Sequence, residues 1–343
     1  MENLVMGKVI IPITECKPGM TLMQPIVEEH TGEIIVDKDQ ILAEEHIEKL
    51  KNFNHTEVWI SISPESSVWK IDEDATQSYT RYVNALKAIM ETHKDEATAV
   101  KQLKSIAEEM LERHVDDYKL LSCINLMSDL EASVFKHSVN VAFLSLLMGR
   151  WTGYKKEKLR DLVLAALLHD IGKRSIERPL IHKKEEMKFM ERLEYKRHPI
   201  YGYEMLVPYG EVSIDVLKGV LSHHERCDGS GYPLGLRENR INEFAKIIGI
   251  ADTYDYLKEE HHIFEVVKRL GNNMIRKFDI NLLVQFCYNI ANYYVGSSVL
   301  LNNGKIAKVA FIQSQAIGRP FVILDDQYIN LYEKTQLEIV EVL

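Results

Sequence analysis

The sequence predicts a mainly α protein, with a central all-helical domain flanked by small β-rich modules at both termini. Three observations carry that expectation. From about Asp74 to Val295, apolar residues recur at spacings of three and four, as at Val100, Leu103, Ala107, Met110 and Leu111, and again at Val141, Leu144, Leu147 and Met148. That period puts one side of each helical turn into a core. Before this stretch, from Lys8 to about Ile62, short alternating segments are punctuated by turns, and the same texture returns near Gly296. The chain has 343 residues, enough for one core of roughly 150–200 residues with smaller modules beside it.

In chain order, Lys8–Ile13 reads as a strand, Pro18-Gly19 as a turn, and Thr21–Val27 and Glu33–Val36 as strands around Thr31-Gly32. Leu42–Leu50 is helix-like and Glu57–Ile62 is a further strand, so residues 1–65 form a small α+β module. Residues 66–125 are a helical connector, expected to pack on the core; a signalling stalk or a homodimer surface is the alternative. The central domain spans residues 126–295. Residues 296–343 form a small β module, in which Asn303-Gly304 is a hairpin signal between Ser298–Leu301 and Ile306–Phe311. Phe321–Leu324 and Leu337–Val342 are further strands.

Composition narrows the function. The start, Met1–Pro12, has no basic region and no long apolar run, and no 18-residue apolar stretch occurs, so the expectation is a cytoplasmic protein without a membrane partner. Cys16, Cys123, Cys227 and Cys287 are far apart, which argues against a zinc ribbon or a disulfide scaffold and fits a reducing compartment. A net charge of −9 argues against binding a nucleic-acid polymer, which needs a basic surface. A small phosphate substrate stays compatible, because bound metal ions reverse the local field. The mixed-sign clusters Lys155–Arg160 and His182–Lys188 read as solvated helix faces.

Thirteen histidines are present. His30, His46, His55, His93, His114, His182, His261 and His262 are read as structural. The other five keep different company. In LVLAALLHDIGK, Leu162–Lys173, an apolar helical run ends in His169-Asp170, two polar groups that burial penalises unless they are paired or metal-bound. A carboxylate bridging two metals, with the histidine capping one of them, suits side chains about 100° apart on a helix. Lys173 lies one turn on, and Gly172 marks a helix end or a close approach to ligand. His137 sits in an amphipathic helix, His198 precedes Pro199, His223-His224 follows VLKGVLS, and Asp252 closes KIIGIAD. Seven such groups exceed a structural zinc site and match a two-metal cluster with open positions. Histidine-rich ligation favours iron, manganese, nickel or zinc over magnesium.

HDIGK, then HPIYGYEML, then HHERCDGSGYP, then IADTYD, in that order, resembles the HD-GYP family, a branch of the HD-domain phosphohydrolases associated with hydrolysis of cyclic di-GMP. The resemblance covers about Leu130 to Asp255, with helices to about Val295. It implies a central HD-type domain that opens cyclic di-GMP to linear pGpG and/or GMP in bacterial signalling. Another HD-type hydrolase, acting on a different nucleotide or cyclic dinucleotide, or a weakly catalytic metal- and nucleotide-binding signalling module with a protein partner, is the alternative. By motif, His137, His169, Asp170, His198, His223, His224 and Asp252 are the implied metal ligands for two ions, iron or manganese first. Asp170 and Lys173 are the implied catalytic pair. Lys173, Arg226, Tyr232 and Asp255 are the expected substrate contacts. Two departures stand out. Ser133 occupies the place of a glutamate that completes a third metal site in some members, so two metals are expected. His261 and Phe264 stand where the family usually has an arginine and a lysine that grip the phosphates, so weakened binding of cyclic di-GMP is expected.

Overall fold

The structure, a computed structural model, describes residues 7–13, 16, 20–27, 34–52, 57–62, 73–91, 96–114, 117, 120–121, 124, 134–177, 187–208, 210, 212–325 and 327–343. The expected turns at Pro18-Gly19 and Thr31-Gly32 lie outside these, as do Cys123, Ser133, His30, His55, His93 and His182.

Two compact units divide the chain. One comprises residues 1–73, 262–268 and 287–343; the other comprises 74–261 and 269–286. Segments 1–65 and 296–343 of the sequence reading both fall in the first unit.

In the first unit, β1 (Gly7–Pro12) pairs antiparallel with β5 (Glu57–Ile62), and β2 (Thr21–Leu22) pairs with the other edge of β5. The strand expected over Thr21–Val27 is in fact two. β3 (Ile26–Val27) leaves that sheet to pair with β4 (Ile34–Val36). Pro25 stands at the break, where a residue without an N–H cannot extend a ladder. Leu22, Ile26, Val36, Val58 and Ile60 meet Leu42, Ile47 and Leu50, the last two on helix α1 (Glu44–Asn52), in one apolar cluster. The C-terminal strands β6 (Ser298–Leu301), β7 (Ile306–Phe311), β8 (Phe321–Leu324), β9 (Gln327–Asn330) and β10 (Ile339–Val342) form an antiparallel sheet in the order β10-β6-β7-β8-β9. The β6–β7 hairpin turns at Gly304, whose φ is +78°. β9 was not expected; it is a half-exposed edge strand without apolar alternation.

The second unit is helical. Helices α2 (Glu73–Glu91) and α3 (Glu96–Arg113) precede α4 (Val134–Trp151), α5 (Lys156–Leu168), α6 (Phe189–Tyr195), α7 (His198–Leu206), α8 (Ile214–Ser222) and α9 (Glu243–Lys258). Helices α10 (Ile263–Asn273) and α11 (Ile280–Tyr293) run on from these and divide between the units. α4 is buried all round from Ser138 to Gly149, as a central helix must be. It packs against α5 and α9, while α8 packs against α5, α7 and α9. Side chains of Ser213 and Asn242 cap α8 and α9 by accepting from Val216 N and Phe244 N. Among the described residues, no helix is long and apolar enough to cross a membrane.

Candidate metal centre

α5 buries every residue from Leu162 to Leu168 and then stops. His169 caps it, and Asp170 leaves helical geometry at φ −99°, ψ 7°, entering a 3-10 turn over Ile171–Ser175. The HD pair is therefore a helix end set inside the core, with side-chain exposures of 0% and 1%. Gly172 makes this termination fit: a Cβ there would lie 1.9 Å from His198 O and 2.4 Å from Gly202 N. The close approach is to the backbone of α7, not to a ligand, so no side chain can replace this glycine without moving α7.

Three histidines are oriented by one local device. The Nδ1 of His169 donates to Ala166 O at 2.7 Å, that of His198 to Tyr195 O at 2.8 Å, and that of His223 to Val220 O at 2.7 Å. Each bond reaches a carbonyl three residues back. It fixes ring orientation and tautomer and leaves Nε2 as the free lone pair. The Nε2 atoms of His198 and His223 stand 3.3 Å apart. Asp170 Oδ1 is 3.3 Å from His198 Nε2 and 4.0 Å from His223 Nε2, while Oδ2 is 3.3 Å from His169 Nε2. Asp252 presents Oδ1 to His137 Nε2 at 3.1 Å and Oδ2 to His224 Nδ1 at 3.6 Å.

Ligand atoms thus gather in two groups, Asp170–His198–His223–His224 and His137–His169–Asp252, each within 4.8 Å. All seven residues expected as ligands are in these groups, and both aspartates reach into each. His169 Nε2 and Asp170 Oδ1 are buried and form no hydrogen bond among the described residues. Desolvated lone pairs of this kind are costly unless something electrophilic meets them. Five imidazoles and two carboxylates fit divalent transition metals as that partner.

The electrostatics point the same way. Burial opposes the charge on Asp170, but Lys173 and His169 outweigh it and hold the carboxyl well below its usual range. Burial likewise opposes ionisation of Asp252, and the His137 hydrogen bond and nearby His224 overcome it. Burial, then His169 and His198, hold His223 well below the usual imidazole range; burial and His223 do the same for His224. Deprotonated imidazoles and ionised carboxylates are the forms that ligate metal. His137 differs. Burial opposes its protonation, yet hydrogen bonds to Asp252 and Asp255 push it up to about 10.

Around the cluster, Lys173 pairs with Asp170, and its ammonium lies 5.4 Å from the centre of the Tyr195 ring. Burial opposes that charge, but Asp170 and Tyr195 raise the lysine above its ordinary value. Tyr232 stacks on His224 with ring centroids 4.6 Å apart. The other two expected substrate contacts have inward partners. Arg226 donates to the carbonyls of His223 and Glu225 and to Thr253 Oγ1, and lies 5.0 Å from the Phe278 ring centre. Asp255 has both oxygens engaged, Oδ2 by His137 Nδ1 at 2.7 Å and Oδ1 by Asn140 Nδ2 at 2.9 Å. Phe264 is 1% exposed and packs edge-on against Tyr294. It is a core residue of the first unit, so the expectation that a lysine there would grip a phosphate is corrected: that position faces protein. His261 joins neither ligand group.

Sequence reasoning passed over Glu225, Tyr195 and Asn140. Glu225 is buried, and its carboxylate accepts Leu234 N at 2.6 Å and Leu236 N at 2.8 Å. It thereby ties down the glycine-rich loop that carries Tyr232. Gly231 passes under this tie, where a Cβ would lie 2.4 Å from Arg226 N. The available signal was a carboxylate directly after the paired histidines.

Residues 122–272 match the HD domain family. A cyclic di-GMP phosphodiesterase of Pseudomonas aeruginosa is 32% identical over 196 residues, 55% of this chain and 47% of that one. A second, from Borreliella burgdorferi, is 30% identical over 192 residues, 54% and 50% of the two chains. A 3'3'-cGAMP-specific phosphodiesterase of Vibrio cholerae is 35% identical over 126 residues, 36% and 29%. The chain thus spans half or less of the length of these curated relatives. Among solved structures, an HDG"Y"P protein of Bdellovibrio bacteriovorus shares the fold, with TM-score 0.57 and 18% identity over 82% of this chain and 98% of that one.

Proposed function

We propose, from the match of residues 122–272 to the HD domain family and from the names of the relatives, that this chain carries an HD domain of the HD-GYP type and is a metal-dependent phosphodiesterase that hydrolyses cyclic di-GMP to linear pGpG and/or GMP in second-messenger signalling. The observation that carries this reading is the meeting of two ligand groups at Asp170, whose two oxygens face different histidines from inside the core. The names of the P. aeruginosa and B. burgdorferi relatives support the substrate class.

His137, His169 and Asp252 would hold one divalent ion, and His198, His223 and His224 the other, with Asp170 shared; iron or manganese is our choice, before zinc or nickel. When bound, such ions supply Lewis acidity to a phosphoryl oxygen and lower the pKa of water toward neutrality. The chain's own residues do the rest. Asp170, kept ionised, holds the ammonium of Lys173 at the edge of the cluster. That cation neutralises charge building on the phosphoryl oxygens as a water oxygen bonds to phosphorus and the P–O3′ bond breaks. The departing 3′-oxygen ends as a hydroxyl, taking up one proton for the one that the water loses. Tyr232, stacked on His224 and fastened through the Glu225-held loop, walls one side of the site. Arg226 holds backbone in our reading, and Asp255 orients His137. The cytoplasm is the proposed location, supported by the scattered cysteines, and residues 126–295 are the proposed catalytic domain.

The V. cholerae relative favours a second reading within the same chemistry, with the mixed cyclic dinucleotide as substrate. Chromatography of products from cyclic di-GMP and 3'3'-cGAMP, using protein purified without oxygen, separates the two. Faster turnover of cyclic di-GMP is expected. Intact substrate in both reactions with metal-replete protein would reject the phosphodiesterase reading.

A further inference from the structure

His169, His198 and His223 each hold Nδ1 on a carbonyl three residues back, whereas the Nδ1 of His137 is held by a carboxylate far along the chain. That Nδ1 donates to Asp255 Oδ2 at 2.7 Å, across 118 residues of chain. Asp255 Oδ1 accepts from Asn140 Nδ2 at 2.9 Å, and Asn140 Oδ1 accepts from the Tyr79 hydroxyl at 2.7 Å. Tyr79, Asn140 and Asp255 are all buried. Tyr79 lies on α2, Asn140 on α4 and Asp255 on α9, so three helices meet in one line of hydrogen bonds ending on a candidate ligand.

We propose that Tyr79 and Asn140 are positioning residues for the metal centre, through a buried relay from α2 to His137. The inference rests on the metal-centre reading above. Asp255 Oδ1 is an acceptor in this line, so the atom facing it must donate. Asn140 therefore turns its amide nitrogen to Asp255 and its oxygen the other way. A buried amide oxygen needs a donor in turn, and the Tyr79 hydroxyl supplies it. With phenylalanine at 79, that oxygen loses its partner, and a flip of the amide would set oxygen against carboxylate. Either change loosens Asp255, and with it the ring whose Nε2 faces Asp252 at 3.1 Å.

A control lies one turn along the same helix. Tyr82 packs on the same Phe143 ring as Tyr79, at centroid distances of 6.1 and 6.0 Å, but its buried hydroxyl makes no hydrogen bond among the described residues. The test titrates the full-length metal-free protein with Co²⁺, reading both affinity and the visible absorption of the bound ion. Removing a partner behind a ligand typically costs 10–100-fold in metal affinity. Asp255→Asn should weaken one of two Co²⁺ sites by about that factor, and Tyr79→Phe, one link further back, by about 3–10-fold with a changed spectrum. Tyr82→Phe should match wild type in both. Tyr79→Phe indistinguishable from Tyr82→Phe would overturn the relay while leaving the metal centre standing. Equal weakening of both sites by Tyr79→Phe would overturn it as well, since that marks general loosening. A wild-type protein that takes up no Co²⁺ would overturn the metal-centre reading, and the relay with it.

Discussion

The two ligand groups of the centre are built by different means. In Asp170–His198–His223–His224, two of the three imidazoles hang on carbonyls one helical turn behind them, at 2.8 and 2.7 Å. Their ring orientations are set as soon as the α6–α7 junction and the end of α8 have formed. In His137–His169–Asp252, His169 uses the same local device, but His137 depends on Asp255 and, behind it, Asn140 and Tyr79. In the first group local helix ends set the ring orientations of His198 and His223; in the second the orientation of His137 is fixed only when α2, α4 and α9 have docked. Disturbance of tertiary packing should therefore act on the His137 side first.

The strongest way to break this contrast is to remove the residue common to both groups. Asp170→Ala should lose metal from both sites and abolish phosphodiester hydrolysis, because a bridged cluster left without its bridge does not hold its ions. Metal analysis alongside product chromatography checks this. Lys173→Ala should keep its metal and lower turnover by about 10²-fold, the scale of losing one donor to the transition state; single-turnover kinetics read it. Phe264→Lys should lower stability by about 3 kcal/mol or more, on the scale of removing a buried aromatic, without improving affinity for cyclic di-GMP. Thermal unfolding and a binding titration test both halves, and tighter binding would restore the idea of a phosphate grip at this position. The smallest effect concerns the loop. Glu225→Gln keeps one acceptor for two backbone N–H groups and loses a charge-assisted bond of about 1.5 kcal/mol. It should raise KM by about tenfold while metal content stays unchanged.

Legibility in the sequence followed the same division. His169-Asp170 could be read because an apolar run ends in two polar groups, and His223-His224 because a pair closes another such run. Both are local facts, and the helix ends they mark carry the local hydrogen bonds. The β6–β7 hairpin was legible from Asn303-Gly304 for the same reason. Asn140 looked like one polar residue in an amphipathic helix, and its partners lie 61 and 115 residues away. No spacing rule reports such a bond. The motif position of Phe264 carries no information on its burial, and a carboxylate near ligands reads the same in sequence whether it faces substrate or stands behind a histidine, as Asp255 does toward His137. The division of Thr21–Val27 into two strands depends on which sheet each half joins, again a tertiary matter.

We propose that seven side chains hold two metal ions around Asp170. Metal analysis of the full-length protein, purified without oxygen, beside its His223→Ala variant tests it most directly. About two transition-metal ions per wild-type chain are expected, with loss of metal in the variant from the site that His223 would complete. Wild-type protein without metal, or His223→Ala with an undiminished two ions, would contradict it.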